Sequence, residues 1–172
     1  MPVRSQHTTR VESLTADLAQ RLDGPLSLDE PFLIEDRVPQ TRSRHVVVIW
    51  DAWKDLSREE RSNIILDAYS SSNRLRGDTV RVAMGLTQEE AFDIGYLPFQ
   101  IVSTIRNADP IDRDAARRAL DSVGGIHVRV GSSEQVRFPS QEYAQEAYRQ
   151  LTSKFPGPYW AITQEVPTIS RA

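Results

Sequence analysis

The chain has 172 residues, of which 39% are hydrophobic and 26% charged, with a net charge of −3 and no cysteine; this is the composition of a folded globular protein, one ordinary domain or two small ones. The lack of cysteine excludes disulfides, thiol nucleophiles, thiolate zinc sites and cysteine-held iron–sulfur clusters together. No apolar run approaches the roughly 18 residues of a membrane span, MPVRSQHTTR lacks the apolar stretch of a signal peptide, and a pI of about 5.6 argues against a general electrostatic grip on nucleic acid, so the expected compartment is the cytoplasm.

Thr9 followed by Glu12 reads as a capping box, with Val11, Leu14, Leu18 and Leu22 as one helical stripe and Gly24-Pro25 as its stop, which predicts a helix over 10–22 and leaves His7 in a frayed terminus. Residues 32–38 (FLIEDRV) read as a strand and Pro39–Ser43 as the turn into a second one. In RHVVVIWDAW, Val46, Val48 and Trp50 face one side while Val47, Ile49 and Trp53 face the other, the pattern of a strand covered on both faces. Ser57 with Glu60 forms a second capping box and opens a helix striped by Ile64, Ile65, Ala68 and Tyr69. SSSNRLRGD, 70–78, is a loop; TVRVAM, 79–84, alternates as a strand with Val80 and Val82 on one side; Thr87 with Glu90 caps a third helix ending near Gly95.

The segments HVVVIWDAWKDLSREERSNIILDAY and VRVAMGLTQEE, within the first 90 or so residues, resemble the BolA-like α/β fold, a relative of the KH arrangement. The resemblance implies a leading helix, a hairpin whose second strand is strongly apolar, an arginine-bearing helix and a third strand. In that family a histidine follows the helix arginine and another stands on the last strand, and both bear on cluster binding with a glutaredoxin partner. Here Ser62 follows Arg61, and Arg81 stands between Val80 and Val82, so cluster binding does not carry over.

FQIVSTIR, 99–106, reads as a strand; Asp109-Pro110 as an N-cap and first helical position; Ile111, Ala115, Ala119 and Leu120 as the face of a helix that Gly124-Gly125 ends. IHVRVG and EQVRFP are short strands around a Gly131–Ser133 turn, Ser140 caps a helix striped by Ala144, Ala147, Tyr148, Leu151 and Phe155, and YWAITQEV closes as a strand. The expected class is therefore α+β, in two small modules joined near Leu97-Pro98: αββαβα over 1–97, BolA- or KH-like, and βαββαβ over 98–172, ferredoxin-like.

Asp51 between Trp50 and Trp53 reads as a core edge turning into a capped helix, with ligand stacking as the competing reading. His7, His45 and His127 show no ligand spacing, GSSEQ lacks a nucleophile elbow, and the paired glycines end a helix where a phosphate cradle would begin one. No catalytic, cofactor or metal site is expected. Of the 21 basic residues only Lys54 and Lys154 are lysine, a bias that reads as the mark of a GC-rich genome.

The expected function is therefore non-enzymatic: binding of a protein partner, or self-association, through sheet edges and exposed aromatics, with the Gly-Pro turn in KFPGPYW either presenting Tyr159 and Trp160 or clamping the last strand onto its own helix. The alternative is an RNA- or DNA-binding protein with an arginine-rich face, for which Arg42, Arg44, Arg76 and Arg81 are the candidates. Two details count against it: no Gly-x-x-Gly clamp occurs, and Phe99 and Phe138 are the only aromatics on the central strands of the second module.

Overall fold

The computed structural model describes residues 3–72 and 78–165, and it is of the α+β class. The chain divides into two compact units, residues 1–26 with 30–90 and residues 27–29 with 91–172. Segment 91–97 belongs to the second unit because its polar groups are used there. Tyr96 N–H donates to Ala91 O at 2.8 Å, Arg137 Nη1 donates to Leu97 O at 3.1 Å, and the Arg137 guanidinium lies 5.5 Å from the centre of the Phe92 ring. Among the described residues no helix is long and apolar enough to cross a membrane.

The first unit opens with α1, Val3–Asp23. The Thr9–Glu12 pattern is thus internal to the helix, and His7, expected in a frayed end, is held by Glu60 Oε1 at 2.7 Å. Strands β1 (Phe32–Arg37) and β2 (Ser43–Ile49) form an antiparallel hairpin with Phe32 opposite Ile49 and Arg37 opposite Arg44. A 3-10 turn at Asp51–Trp53 leads to α2, Arg58–Ser71, where the Ser57–Glu60 capping box is present in both directions. Strand β3, Thr79–Leu86, returns parallel to β2, giving the order β1-β2-β3.

Val46, Val48, Trp50 and Trp53 join Leu14, Leu18, Leu22, Ile64, Ile65 and Ala68 in one core. Val47 and Ile49 are buried too, so both faces of β2 are covered, as its unbroken apolar run requires. The tryptophan pair is structural. Trp53 is fully buried, its indole N–H donates to Leu86 O at 3.0 Å, and its ring meets Trp50 edge-on at 5.5 Å. Asp51 also ties elements together: its N–H donates to Glu30 Oε2 at 3.1 Å, and its Oδ1 accepts from Gln88 N–H at 2.8 Å.

The expected alternation of β3 fails at one point. Arg44 pairs with Val80 and His45 with Val82, so Arg81 is an extra residue, a bulge. Val80 and Ala83 consequently pack on the core, while Val82 is 41% exposed on the other side. The loop expected over 70–78 starts late, since α2 runs to Ser71; residues 73–77 of it lie outside the described residues. Helix α3, Gln88–Asp93, begins at Thr87, whose hydroxyl and N–H exchange bonds with Glu90 as expected.

The second unit contains β4 (Phe99–Ser103), α4 (Arg113–Ser122), β5 (Ile126–Val130), β6 (Ser133–Phe138), α5 (Gln141–Lys154) and β7 (Trp160–Gln164). Its antiparallel sheet runs β5-β6-β4-β7, so each strand-helix-strand connection has another strand lying between its ends. The cap of α4 is Asp112, which accepts from Ala115 N–H, and not Asp109, which accepts from Arg106 N–H at 2.6 Å in the preceding turn. Ser140 caps α5 as expected, and Tyr143, Ala144, Ala147 and Leu151 are its buried face. Phe99 sits opposite Phe138, on the same face as the buried Val136 and Ile101.

Candidate functional site

The described candidate residues are divided between the two units, Arg42, Arg44 and Arg81 in the first and Tyr159 and Trp160 in the second. Arg76 lies outside the described residues. Trp160 is only 4% exposed and its ring packs edge-on against Phe155 at 6.4 Å, which favours the clamp over presentation of Trp160 to a partner. Tyr159 is half-buried and covers the turn: a Cβ on Gly157, at φ +138, would lie 2.7 Å from the Tyr159 ring. The Gly-Pro segment is a clamp, with Thr104 bonding to Pro158 O and Tyr159 O at 2.6 and 2.8 Å.

Arg42, Arg44 and Arg81 do come together at the start of β2 and β3, but on different sides. Arg42 is exposed, and its carbonyl accepts from Thr79 N–H. Arg81 turns to Ser43 Oγ at 3.3 Å, on the face shared by Ser43 and Thr79. Arg44 points to the helix-covered face, where Nη1 bonds Glu35 Oε2 at 3.1 Å and Nε bonds Asp78 Oδ2 at 2.9 Å. Two carboxylates therefore neutralise it, and the side chains of Glu35, Asp78 and Arg44 are 11%, 14% and 26% exposed.

Tyr69 completes this network by donating its hydroxyl to Glu35 Oε1 at 2.5 Å. The network sits beside a groove of about 430 Å³ lined by Leu66, Tyr69, Ser70 and Ser72 of α2 and its cap, and by Asp78, Thr79 and Val80 of β3. Helical spacing makes the helix wall, because Leu66, Tyr69 and Ser70 stand at i, i+3 and i+4. Leu66 is 39% exposed, an apolar group on the lip of a groove of mixed polar and apolar lining. Sequence pattern singled out Tyr69 only as a core residue, and gave no sign of Glu35, Leu66 or Asp78.

Farther along, α2 lies close against this edge strand. Ser62 Oγ donates to Ala83 O at 2.8 Å and Arg61 Nη1 to Gly85 O at 3.3 Å, so helix side chains satisfy backbone carbonyls that a neighbouring strand would otherwise take. The approach is close enough that a Cβ on Gly85 would lie 2.6 Å from Arg61 Cβ. Arg61 is 5% exposed and is fully employed: Nε donates to Leu56 O at 3.0 Å, Nη1 also meets Glu90 Oε2 at 2.6 Å, and Nη2 reaches Lys54 O. Burial alone would raise the Glu90 carboxyl, but the Thr87 N–H and Arg61 outweigh it and hold Glu90 below its usual range. Toward Asp78–Val80 the two elements part, and the groove opens between them.

Other polar clusters have structural roles. Arg137, buried in β6 and missed by the alternation pattern, bonds Gln135, Leu97 O and Glu165. His127 meets Glu134 at 3.4 Å. Among the described residues no group of three or more His, Cys, Asp or Glu could hold a metal ion. No family model, curated protein or solved structure matches the chain.

Proposed function

We propose that this protein is a non-enzymatic, cytoplasmic binding module that takes an extended segment of a partner protein into the groove between α2 and β3. One observation carries the reading: the groove joins an edge strand to an exposed helical leucine, which is the geometry for adding a strand and seating one side chain beside it. At a rise of about 3.3 Å per residue, Asp78–Val80 offers roughly 10 Å of edge, enough for a short segment. Self-association through the same groove is the homotypic form of the same chemistry.

The element order αββαβα and the mixed β1-β2-β3 sheet support a BolA-like reading of the first unit, and the strand order of the second supports a ferredoxin-like one. Neither brings a ligand with it. The nucleic-acid reading loses support on three counts: Arg44 is neutralised, Arg81 faces away from it, and Phe99 and Phe138 lie on the face of the sheet that carries the buried Val136 and Ile101.

The test is selection of displayed random peptides on the whole protein, with Leu66→Glu as counter-target. Peptides that bind the wild type and not the variant are expected. Recovery of none in this class overturns the reading.

A further inference from the structure

We infer that Ser27–Asp29 is a releasable strap, seated on the Gly124-Gly125 turn of the second unit and covering the leading end of β5. The strap is separate from the α2–β3 groove, none of whose lining residues it contains.

Between α1 and β1 the chain leaves the first unit for three residues: 1–26 and 30–90 group together, whereas Ser27–Asp29 groups with 91–172. The turn from α4 into β5 is where those residues rest. Gly124 and Gly125 have φ of +80° and +97°, a conformation that glycine adopts readily and other residues adopt only with strain. Each glycine also opens one side of the turn. A Cβ on Gly125 would lie 2.7 Å from the buried Phe138 ring. A Cβ on Gly124 would lie 2.7 Å from Leu28 Cβ and 2.9 Å from Leu28 O, so Leu28 sits directly against the turn.

The strap is held more firmly at its roots than at Leu28. Before it, Arg21 Nη1 donates to Pro25 O at 2.7 Å; after it, the Glu30 carboxylate accepts from Asp51 N–H at 3.1 Å. Both are charge-assisted bonds within the first unit. Asp29 N–H donates to Ser27 Oγ at 3.1 Å, which closes the strap on itself as a turn. The bond that seats Leu28, from Gly125 N–H to Leu28 O, spans 3.4 Å, against about 2.9 Å for a strong amide bond. A segment with firm roots and a weaker seat opens locally, before the structure around it unfolds. Strand β5 is the outer strand of its sheet, and Leu28 O takes the N–H at its leading end as a neighbouring strand would. Release of the strap therefore frees that end of the edge.

The experiment follows amide hydrogen exchange residue by residue, by NMR, in the whole protein. Gly124→Ala pushes a methyl group into Leu28, and Leu28→Gly withdraws the side chain from the turn. Gly131→Ala, at φ +61° with no atom within 4 Å of its Cβ, carries the backbone strain without the contact. Expected is about fivefold faster exchange at the Asp29 amide in Gly124→Ala and at the Gly125 amide in Leu28→Gly, with the amides of β4 and β6 at wild-type rates and both sites unmoved in Gly131→Ala. If Gly124→Ala does not fold, Leu28→Gly alone decides. A far partner that does not respond overturns the strap. Uniform acceleration across the second unit overturns it too, because Leu28 would then be released only by unfolding.

Discussion

Ser62 Oγ donates to the carbonyl oxygen of Ala83 at 2.8 Å, so a helix hydroxyl occupies a position on the edge strand that a partner backbone would use. Ser62→Ala should remove this bond at a cost of about 1 kcal/mol. It should also lengthen the stretch of β3 open to pairing. Urea midpoints measure the first effect, and sedimentation velocity the second, as a growing dimer fraction.

Arg61 should be the most sensitive polar residue of the first unit. Its guanidinium bonds three backbone carbonyls and Glu90 while 5% exposed. Arg61→Ala leaves those acceptors without their donor, and the expected loss is about 3 kcal/mol by urea unfolding. Arg61→Lys should recover only part of it, because an ammonium cannot reproduce the planar fork. A variant as stable as wild type would refute the clamp.

Acid should weaken the first unit through Glu60 and Glu90. The Ser57 N–H and hydroxyl, with His7, hold the Glu60 carboxyl down to about 2 from an ordinary 4.5. A depressed carboxyl contributes stability that is complete above its unfolded value and lost as pH falls from about 4.5 toward 2. Glu60→Gln should flatten that part of the profile. Glu30 runs the other way, since burial raises it, with the Asp51 N–H opposing and the Asp51 charge adding to the rise. Its contribution is present in acid and lost as pH rises, so Glu30→Gln should help at about pH 7 more than at pH 4. Urea midpoints across this range decide both.

Labelled single-stranded RNA and duplex DNA should show no salt-sensitive binding between about 50 and 200 mM salt. Anisotropy that rises at low salt and falls with Arg42→Glu and Arg81→Glu would restore the nucleic-acid reading.

What the sequence made legible was local. The boxes at Ser57–Glu60 and Thr87–Glu90 are each closed within four residues, and both form. The same pattern at Thr9–Glu12 misled, because α1 continues to Val3 and docks His7 on Glu60, 53 positions away. The unbroken run Val46–Trp50 announced two-sided burial and had it. The groove was illegible because its walls arise from how α2 packs along β3, which the periodicity of neither segment specifies. Arg137 was missed for a related reason: alternation exposes it, and only Leu97 O and Glu165, far along the chain, make it an interior residue.

The bulge at Arg81 means that β3 is one residue longer than its ladder requires. Deleting Arg81 would leave Val80 opposite Arg44 and Val82 opposite His45, with every later pair in phase. The variant lacking Arg81 is expected to have a straighter rim at this edge of the sheet. A straight rim is the shape on which copies stack into fibrils, whereas a bent one interrupts the stack.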